Sequence, residues 1–176
     1  MKDFIDLVLN RQACRDFNDK PLEKELVEKI AKTAVLAPSA CNSQPWKLYC
    51  VTSPEKVEQV ALCLQHLGAN KFTSKAKAFI AVSEVDAKLF DRASKILGND
   101  FFVKYDIGQV LAYITLGAQD LGVSSCVIGW VDKPKLKQTL NLPDQENCSI
   151  VVALGYSDTP LRDKIRKDKN QAIVNC

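Results

Sequence analysis

Residues 37–46 read APSACNSQPW, an uncharged run of small and polar residues that ends in Gln-Pro-Trp. Pro45 fixes its own φ and favours an extended Gln44, so the run is expected to be a shaped loop that leads into a strand. The side chains of Ser39, Asn42 and Gln44 offer donors and acceptors suited to a polar cofactor. The simpler interpretation is a structural turn capped by a buried Trp46.

A second informative stretch lies upstream, where residues 11–15 read RQACR after a short amphipathic segment. Guanidinium groups stay charged at all relevant pH values and match phosphate oxygens in pairs, so Arg11 and Arg15 are candidates for phosphate binding. The uncharged Gln12, Ala13 and Cys14 between them can also expose backbone amides. The alternative is a solvated helix end, where arginine is favoured by the helix dipole.

Three further features allow two interpretations each. Gly129 interrupts an apolar strand, which permits close approach of a ligand or a simple relief of twist. The basic tail could complete an anion site or be a solvated face; it contains Arg162, Lys164, Arg166 and Lys167. Cys14 lies between the two arginines, but without an evident base it is expected to be a small buried hydrophobe.

Composition narrows the classes of function. The chain has 176 residues, 47% hydrophobic and 26% charged, and a net charge of +3, so we expect one globular domain and neither nucleic acid nor membrane as a partner. Seven cysteines without a CxxC pair suggest free thiols in a reducing cytoplasm, and we expect no export signal or membrane span. His66 is the only histidine, so a metal site or a Ser-His-Asp system is not expected, and chemistry would come from a bound cofactor.

Hydrophobic periodicity predicts an alternation of helices and strands that suits an α+β sheet layered by helices. The longest helix is apolar almost all round and is expected to be buried, and residues 86–104 are expected to form a helix or a mobile flap. Predicted helices cover 2–10, 23–36, 54–66, 105–121 and 133–140, and predicted strands cover 47–52, 78–83, 125–131, 148–155 and 172–174.

The order and spacing of these motifs resemble the nitroreductase family of flavoproteins over nearly the whole chain. The matching motifs are Arg11-x-x-x-Arg15-x-Phe17, Ala34-x-x-Ala37-Pro-Ser-x-x-Asn42-x-Gln-Pro-Trp46, Asp106-Ile-Gly108, Ala118-x-x-Leu121-Gly122, Ile128-Gly129, Ala153-Leu-Gly155-Tyr156 and Arg166-Lys167. The resemblance implies the α+β FMN-dependent nitroreductase fold, with a mostly antiparallel central sheet, and an intertwined homodimer with FMN at the interface.

The resemblance also implies the residues that bind FMN. The phosphate would be held by Arg11, the Gln12–Ala13 backbone, Arg166 and Lys167, and the pyrimidine edge by Arg15 and Lys71. Ile128 and Gly129 would face the ring near N5. Pro38, Ser39, Ala40 and Asn42 would come from the other protomer, with Gln44 nearby. Many relatives have serine at the position of Ala13, and the chain lacks the long helical insertion of larger members, so residues 86–104 would shape the substrate pocket.

The activity implied is hydride transfer from NADH or NADPH, through flavin N5, to a nitroaromatic, quinone or similar acceptor in a ping-pong cycle. Two alternatives stay open. One is a specialised relative on the same fold, such as a reductive dehalogenase or a flavin-fragmenting enzyme. The other is a flavin-binding module without turnover, which would hold FMN that nicotinamides do not reduce.

Overall fold

The computed structural model describes residues 3–175, without the side chains of residues 169 and 170. The helices are α1 (Phe4–Asn10), α2 (Lys24–Ala34), α3 (Pro54–Leu64), α4 (Asp91–Leu97), α5 (Val103–Asp120), α6 (Lys133–Leu140) and α7 (Lys169–Ala172). The strands are β1 (Trp46–Val51), β2 (Ala78–Glu84), β3 (Ser124–Ile128) and β4 (Asn147–Gly155). No helix within residues 3–175 is both long and apolar enough to cross a membrane.

The four strands form one antiparallel sheet in the order β1-β2-β4-β3. The register pairs Leu48 with Val82, and Cys126 with Ala153. The central strands β2 and β4 are apolar along most of their length, as expected for strands covered on both faces. This arrangement confirms the predicted α+β class and the mostly antiparallel sheet.

Helices cover both faces of the sheet. Residues that alternate along β2 divide between two apolar clusters: Ile80 and Val82 belong to the one that contains α2 and α5, and Phe79 and Ala81 to the one that contains α3 and α6. The amphipathic pattern of α2 places its apolar face, including Ile30, into the first cluster.

Several predicted bounds change in the structure. The first helix begins at Phe4, and Lys2 lies outside the described residues. Residues 86–104 contain α4 and a 3-10 turn, and α5 begins at Val103 rather than at Tyr105. The strand predicted over 125–131 ends at Ile128, because the Asp132 N–H donates to the Cys63 carbonyl of α3 (2.9 Å) and the chain leaves the sheet.

Two expectations about apolar segments are not met within one chain. Ala172 ends α7, which overturns the predicted strand at that residue, and Ile173 and Val174 are exposed without pairing to any described strand. The expected pairing of this segment with a partner's sheet edge stays a prediction. Helix α5 is not buried all round in one chain, because Tyr105 (66% exposed) and Tyr113 (39% exposed) lie on an uncovered face. Apolar composition cannot distinguish burial inside one chain from burial against a second chain.

Candidate cofactor site

The segment that follows α1 joins the outer edge of β3. Ala13 forms a parallel bridge with Ser125, and the Cys14 N–H donates to the Ser125 carbonyl (2.9 Å). An edge strand has unpaired backbone groups, and this short segment satisfies some of those of β3. Arg11 and Arg15 therefore lie on either side of the point where the segment meets the sheet.

A glycine fixes the far end of this segment. Phe17 is buried over Gly155, where an added Cβ would lie 2.8 Å from Phe17 Cδ1. The Asn18 N–H also donates to the Tyr156 carbonyl (2.8 Å). Glycine is the residue that lets the aromatic ring approach the end of β4 this closely.

The C-terminal tail crosses the same segment and is held by its polar groups. Gln12 Nε2 donates to the Pro160 carbonyl (3.1 Å), and Gln12 Oε1 accepts from the Arg162 backbone and Nε (both 3.2 Å). Arg162 Nη2 donates to the Ala13 carbonyl (2.8 Å), and Lys164 Nζ donates to the Arg11 carbonyl (2.6 Å). These contacts bring two parts of the sequence some 150 residues apart into one cluster.

The cluster is strongly cationic. Arg11, Arg162, Lys164 and Arg166 line a cavity of about 430 Å³ together with Gln12 and one acidic residue, Asp163. Burial, followed by the charges of Arg11 and Arg166, lowers the pKa of Lys164. Among the described side chains, no carboxylate forms an ion pair with any of these four cations.

A second cavity of about 350 Å³ adjoins the first and is lined by Ala13, Arg15, Gln119 and Arg162. Cys126 lies beside it: burial raises the pKa of its thiol, while Arg15, Arg11 and Arg162 act to lower it. The charge of Arg15 therefore acts on the same part of β3 as the charges of the first cavity. A third cavity of about 580 Å³, between α3 and Pro21–Leu22, contains none of the predicted site residues.

This donor set fits the FMN that the resemblance implies. Four convergent cations without carboxylate partners repel one another, and a phosphate dianion would relieve that repulsion. The Arg11 guanidinium has no hydrogen-bond partner among the described residues, so its N–H groups are available to donate to a ligand. The sequence has no Gly-rich dinucleotide loop, which favours a mononucleotide over a dinucleotide.

Hydrogen bonds among its own polar groups hold the loop that contains Pro38–Gln44 in shape. Ser39 Oγ accepts from the Gln44 N–H (2.9 Å), and Gln44 Nε2 donates to the carbonyl and Oδ1 of Asn42 (both 3.1 Å). Cys41, Asn42 and Gln44 have positive φ values of 53°, 52° and 46°. The expectation of an extended Gln44 was wrong, because these hydrogen bonds hold it in the left-handed region.

The loop and the cationic cluster do not meet within one chain. Asp106 contacts the loop at Ala40 near one end of α5, and Gln119 lines the Arg15 cavity near the other end. Thirteen residues at 1.5 Å per residue separate these two points by ~20 Å. The structure therefore brings Arg11, Gln12, Ala13, Arg15 and Arg166 together and leaves Pro38–Gln44 apart from them.

The remaining predicted residues lie around the end of β3. Gly129 follows the strand directly and is exposed, and an added Cβ there would meet no heavy atom within 4 Å. Asn70 Nδ2 donates to the Trp130 carbonyl (3.4 Å), which brings the exposed Lys71 close to this end of the strand. Ile128 is buried, and Lys167 is exposed and lines neither of the two cationic cavities.

Two residues in the cluster, Arg162 and Lys164, were predicted only as part of a basic tail that could complete an anion site or be a solvated face. The resemblance points instead to Arg166 and Lys167. A signal was nevertheless present, because Arg162, Lys164 and Arg166 alternate with other residues, and every second side chain of an extended segment faces the same side.

Comparison with known proteins identifies the family. The Nitroreductase family matches residues 8–156. A provisionally named NADH dehydrogenase/NAD(P)H nitroreductase of Archaeoglobus fulgidus is 30% identical over 160 residues, which cover 89% of this chain and 86% of that protein. A nitroreductase family protein from Streptococcus pneumoniae superposes with a TM-score of 0.80 at 23% identity, covering 99% of this chain and 100% of the other. An FMN-dependent nitroreductase from Clostridium difficile superposes with a TM-score of 0.77 at 24% identity, covering 98% of each chain.

The chain therefore belongs to the nitroreductase family and has its α+β fold. It is an oxidoreductase of that family. The family match spans the segment at Arg11, the loop at Pro38–Gln44 and all four strands, and it stops just before the tail that completes the cationic cluster.

Proposed function

We propose that the chain is an FMN-dependent oxidoreductase that takes hydride from NADH or NADPH and passes it to a small acceptor such as a nitroaromatic or a quinone. The observation that carries this proposal is the cluster of Arg11, Arg162, Lys164 and Arg166, built from both ends of the chain without carboxylate partners. The names of the Archaeoglobus and Clostridium relatives support FMN and nicotinamide as its cofactor and co-substrate.

Each member of the cluster has a distinct task in this proposal. Arg11 and Arg166 bind the phosphate by charge-assisted hydrogen bonds, with Lys164 adding charge. Gln12 and Arg162 hold the tail across the segment, and the Ala13 amide replaces the serine contact of other family members. Lys167 supplies further positive charge at the mouth of the site. When bound, FMN supplies the hydride carrier that no side chain of this chain provides.

We assign the residues around β3 to the flavin ring. Arg15 lies in the cavity next to the phosphate cluster, where its charge favours the negative charge of a reduced ring over a neutral oxidised one. Gly129 leaves open space in which a planar ring can approach the backbone after Ile128. Lys71 adds a second positive charge from the neighbouring turn.

We propose further that two copies of the chain build each site. Helix α1 has no buried residue, and its apolar side chains Phe4, Ile5 and Leu9 are between 52% and 61% exposed. Together with the uncovered face of α5, this is more exposed apolar surface than a lone chain is expected to keep in water. A second copy would cover it and bring the partner's Asn42 and the partner's Gln44 to the flavin.

Two broader expectations belong to the same proposal. We place the protein in the cytoplasm, because the six cysteines that the structure describes are free thiols. We treat residues 1–176 as one domain, because both apolar clusters pack on the same sheet.

The test is the spectrum of the purified protein, followed by anaerobic titration with each nicotinamide. We expect a yellow protein with one FMN per chain, which FAD does not replace, and bleaching by NADH or NADPH. A colourless protein that FMN cannot reconstitute would overturn the proposal. Bound FMN that neither nicotinamide reduces would favour the flavin-binding module, and normal reduction without turnover of nitroaromatics or quinones would favour the specialised relative.

Sedimentation tests the assembly. We expect a stable dimer at low micromolar concentration that binds FMN, and Leu9→Asp should dissociate it by placing a charge in the apolar contact. Leu62→Asp, at an exposed position on α3, is the matched control. A monomer that binds FMN as tightly as the proposed dimer would contradict the two-copy site.

A further inference from the structure

One buried carboxylate contacts the loop that is separated from the cationic cluster. Asp106 is only 2% exposed and lies in the first turn of α5. Both of its side-chain oxygens accept from the Ala40 N–H, at 3.1 and 3.2 Å. It forms no ion pair with a cation among the described side chains, and a buried charge without such a partner is unfavourable unless hydrogen bonds and the helix N-terminus compensate.

The loop needs an external anchor. Ala40 begins the 3-10 turn Ala40–Asn42, and the left-handed backbone of Cys41, Asn42 and Gln44 is costly for residues that carry a Cβ. The bond between Ser39 Oγ and the Gln44 N–H closes the loop on itself. Among the hydrogen bonds that residues 39–44 make to other described residues, those to Asp106 are the ones that join the loop to a helix.

We infer that Asp106 is a positioning residue for the cofactor site of the partner copy, an inference that rests on the proposed function. It acts through the Ala40 amide and touches neither substrate nor cofactor itself. Its carboxylate fixes the height and orientation of the Ser39–Gln44 loop relative to α5. Because the other end of α5 lines the Arg15 cavity, one rigid helix sets the distance between the two half-sites that each chain contributes.

The first experiment measures loop order without any cofactor. Hydrogen exchange of the peptide that contains Ala40 should accelerate in Asp106→Ala and stay near the wild-type rate in Asp106→Asn, whose amide oxygen still accepts a hydrogen bond. Glu146→Gln is the matched control, because Glu146 is a carboxylate with a 5% exposed side chain that contacts Tyr49 and Lys47 instead of the loop. Unchanged exchange at Ala40 in Asp106→Ala would overturn the anchoring role.

The second measurement is FMN affinity in the same variants. Loss of the anchor should weaken FMN binding roughly tenfold in Asp106→Ala, with a much smaller loss in Asp106→Asn and no change in Glu146→Gln. Faster exchange with unchanged FMN affinity would overturn the positioning role while leaving the proposed function intact. If Asp106→Ala does not fold, Ala40→Pro, which removes the N–H that donates to Asp106, is measured in its place and should show the same two effects.

A mixed dimer distinguishes action within a chain from action across the interface. Arg11→Ala damages the phosphate cluster of its own chain, and Asp106→Ala damages the loop that serves the partner. In a dimer of one chain of each kind, one site carries both defects and the other carries neither. We expect half of the sites to recover wild-type FMN affinity. No recovery would show that each loop serves its own chain and would overturn the inference, and a wild-type protein that binds no FMN would overturn the proposed function itself.

Discussion

The two half-sites of this molecule differ in how a single chain completes them. Around Arg11, hydrogen bonds of 2.6–3.2 Å between the first and last parts of the chain gather four cations at the edge of β3. The Ser39–Gln44 loop is also tied down, through Asp106, but it lies ~20 Å along α5 from that cluster. The cationic cluster is complete within one chain, whereas the loop has no such cluster beside it in the same chain.

The fold therefore places the cationic cluster and the polar loop at opposite ends of α5. The cationic half can recognise a phosphate in one chain, because electrostatic attraction requires only that the cations converge. In the proposed two-copy site, the polar loop orients a ring that another chain holds, because hydrogen-bond donors act at short range. A change in the first half should therefore reduce affinity strongly, and a change in the second should alter orientation through the dimer.

The largest expected effect comes from removing two cations of the first half. Arg11→Ala combined with Arg166→Ala removes two charge-assisted contacts of about 1.5–3 kcal/mol each, so FMN affinity should fall by more than about a hundredfold in a fluorescence titration. The control is Arg92→Ala with Lys95→Ala, two exposed cations of α4. Equal affinities in both double variants would mean that charge near Arg11 does not hold the ligand.

A smaller effect is expected from changing the packing of Phe17 on Gly155, which holds the segment that carries Arg11 and Arg15. Gly155→Ala forces Phe17 to move, because the new Cβ would lie 2.8 Å from its ring, and we expect about 1–3 kcal/mol of destabilisation in urea unfolding. Phe17→Leu in the same chain should restore part of the loss by making room. No loss of stability in Gly155→Ala would show that Phe17 does not fix the segment.

The Arg15→Gln variant tests whether the charge of Arg15 changes the midpoint potential of the flavin rather than its overall affinity. Arg15→Gln keeps a hydrogen-bond donor and removes the charge, so the reduced flavin should lose more affinity than the oxidised one. A tenfold difference corresponds to a fall of about 30 mV in the two-electron midpoint potential. Uniform weakening of both forms at an unchanged potential would place Arg15 on the phosphate instead.

The smallest effect concerns Glu146, a carboxylate that forms hydrogen bonds with Lys47 and Tyr49 and with neither half-site. Burial acts to raise the pKa of Glu146, but hydrogen bonds from Tyr49 and Lys47 outweigh it, and the pKa lies below its ordinary value of 4.5. A lowered pKa in the folded state stabilises the protein above pH 4.5, and that contribution is lost as the pH falls through the folded pKa.

Glu146→Gln should therefore make acid unfolding depend less steeply on pH, and FMN affinity at neutral pH should stay unchanged. Asp144→Asn, an exposed neighbour, is the control and should leave the acid transition as it is. A Glu146→Gln protein with reduced FMN affinity would show that the far edge of the sheet is coupled to the cofactor site.

The sequence predicted the sheet and its helices because their signals are local. Helix α6 matches its predicted bounds, since Pro134 near its first residue and the left-handed Asn141 after its last are visible in the sequence. Both half-sites were also predicted as segments. Their separation within one chain was not predicted from residue patterns, because the distance between them depends on which end of α5 each one meets.

The tail shows where local patterns fail. A strand over residues 172–174 was predicted from apolar residues alone, but a strand requires a partner edge, and within the described chain this segment has none. The sequence left the role of Arg162 and Lys164 open, because the contacts that place them come from Gln12, Ala13 and Arg11. Contacts between residues about 150 positions apart cannot be predicted from a pattern of neighbouring residues.

The most direct test of the central claim compares FMN with riboflavin, which has the same ring but no phosphate. We predict that the wild-type protein binds FMN far more tightly than riboflavin, and that the preference falls roughly ten- to a hundredfold in Arg11→Ala while riboflavin affinity hardly changes. Equal affinity for the two ligands in the wild-type protein would contradict the claim that the cluster around Arg11 is a phosphate site.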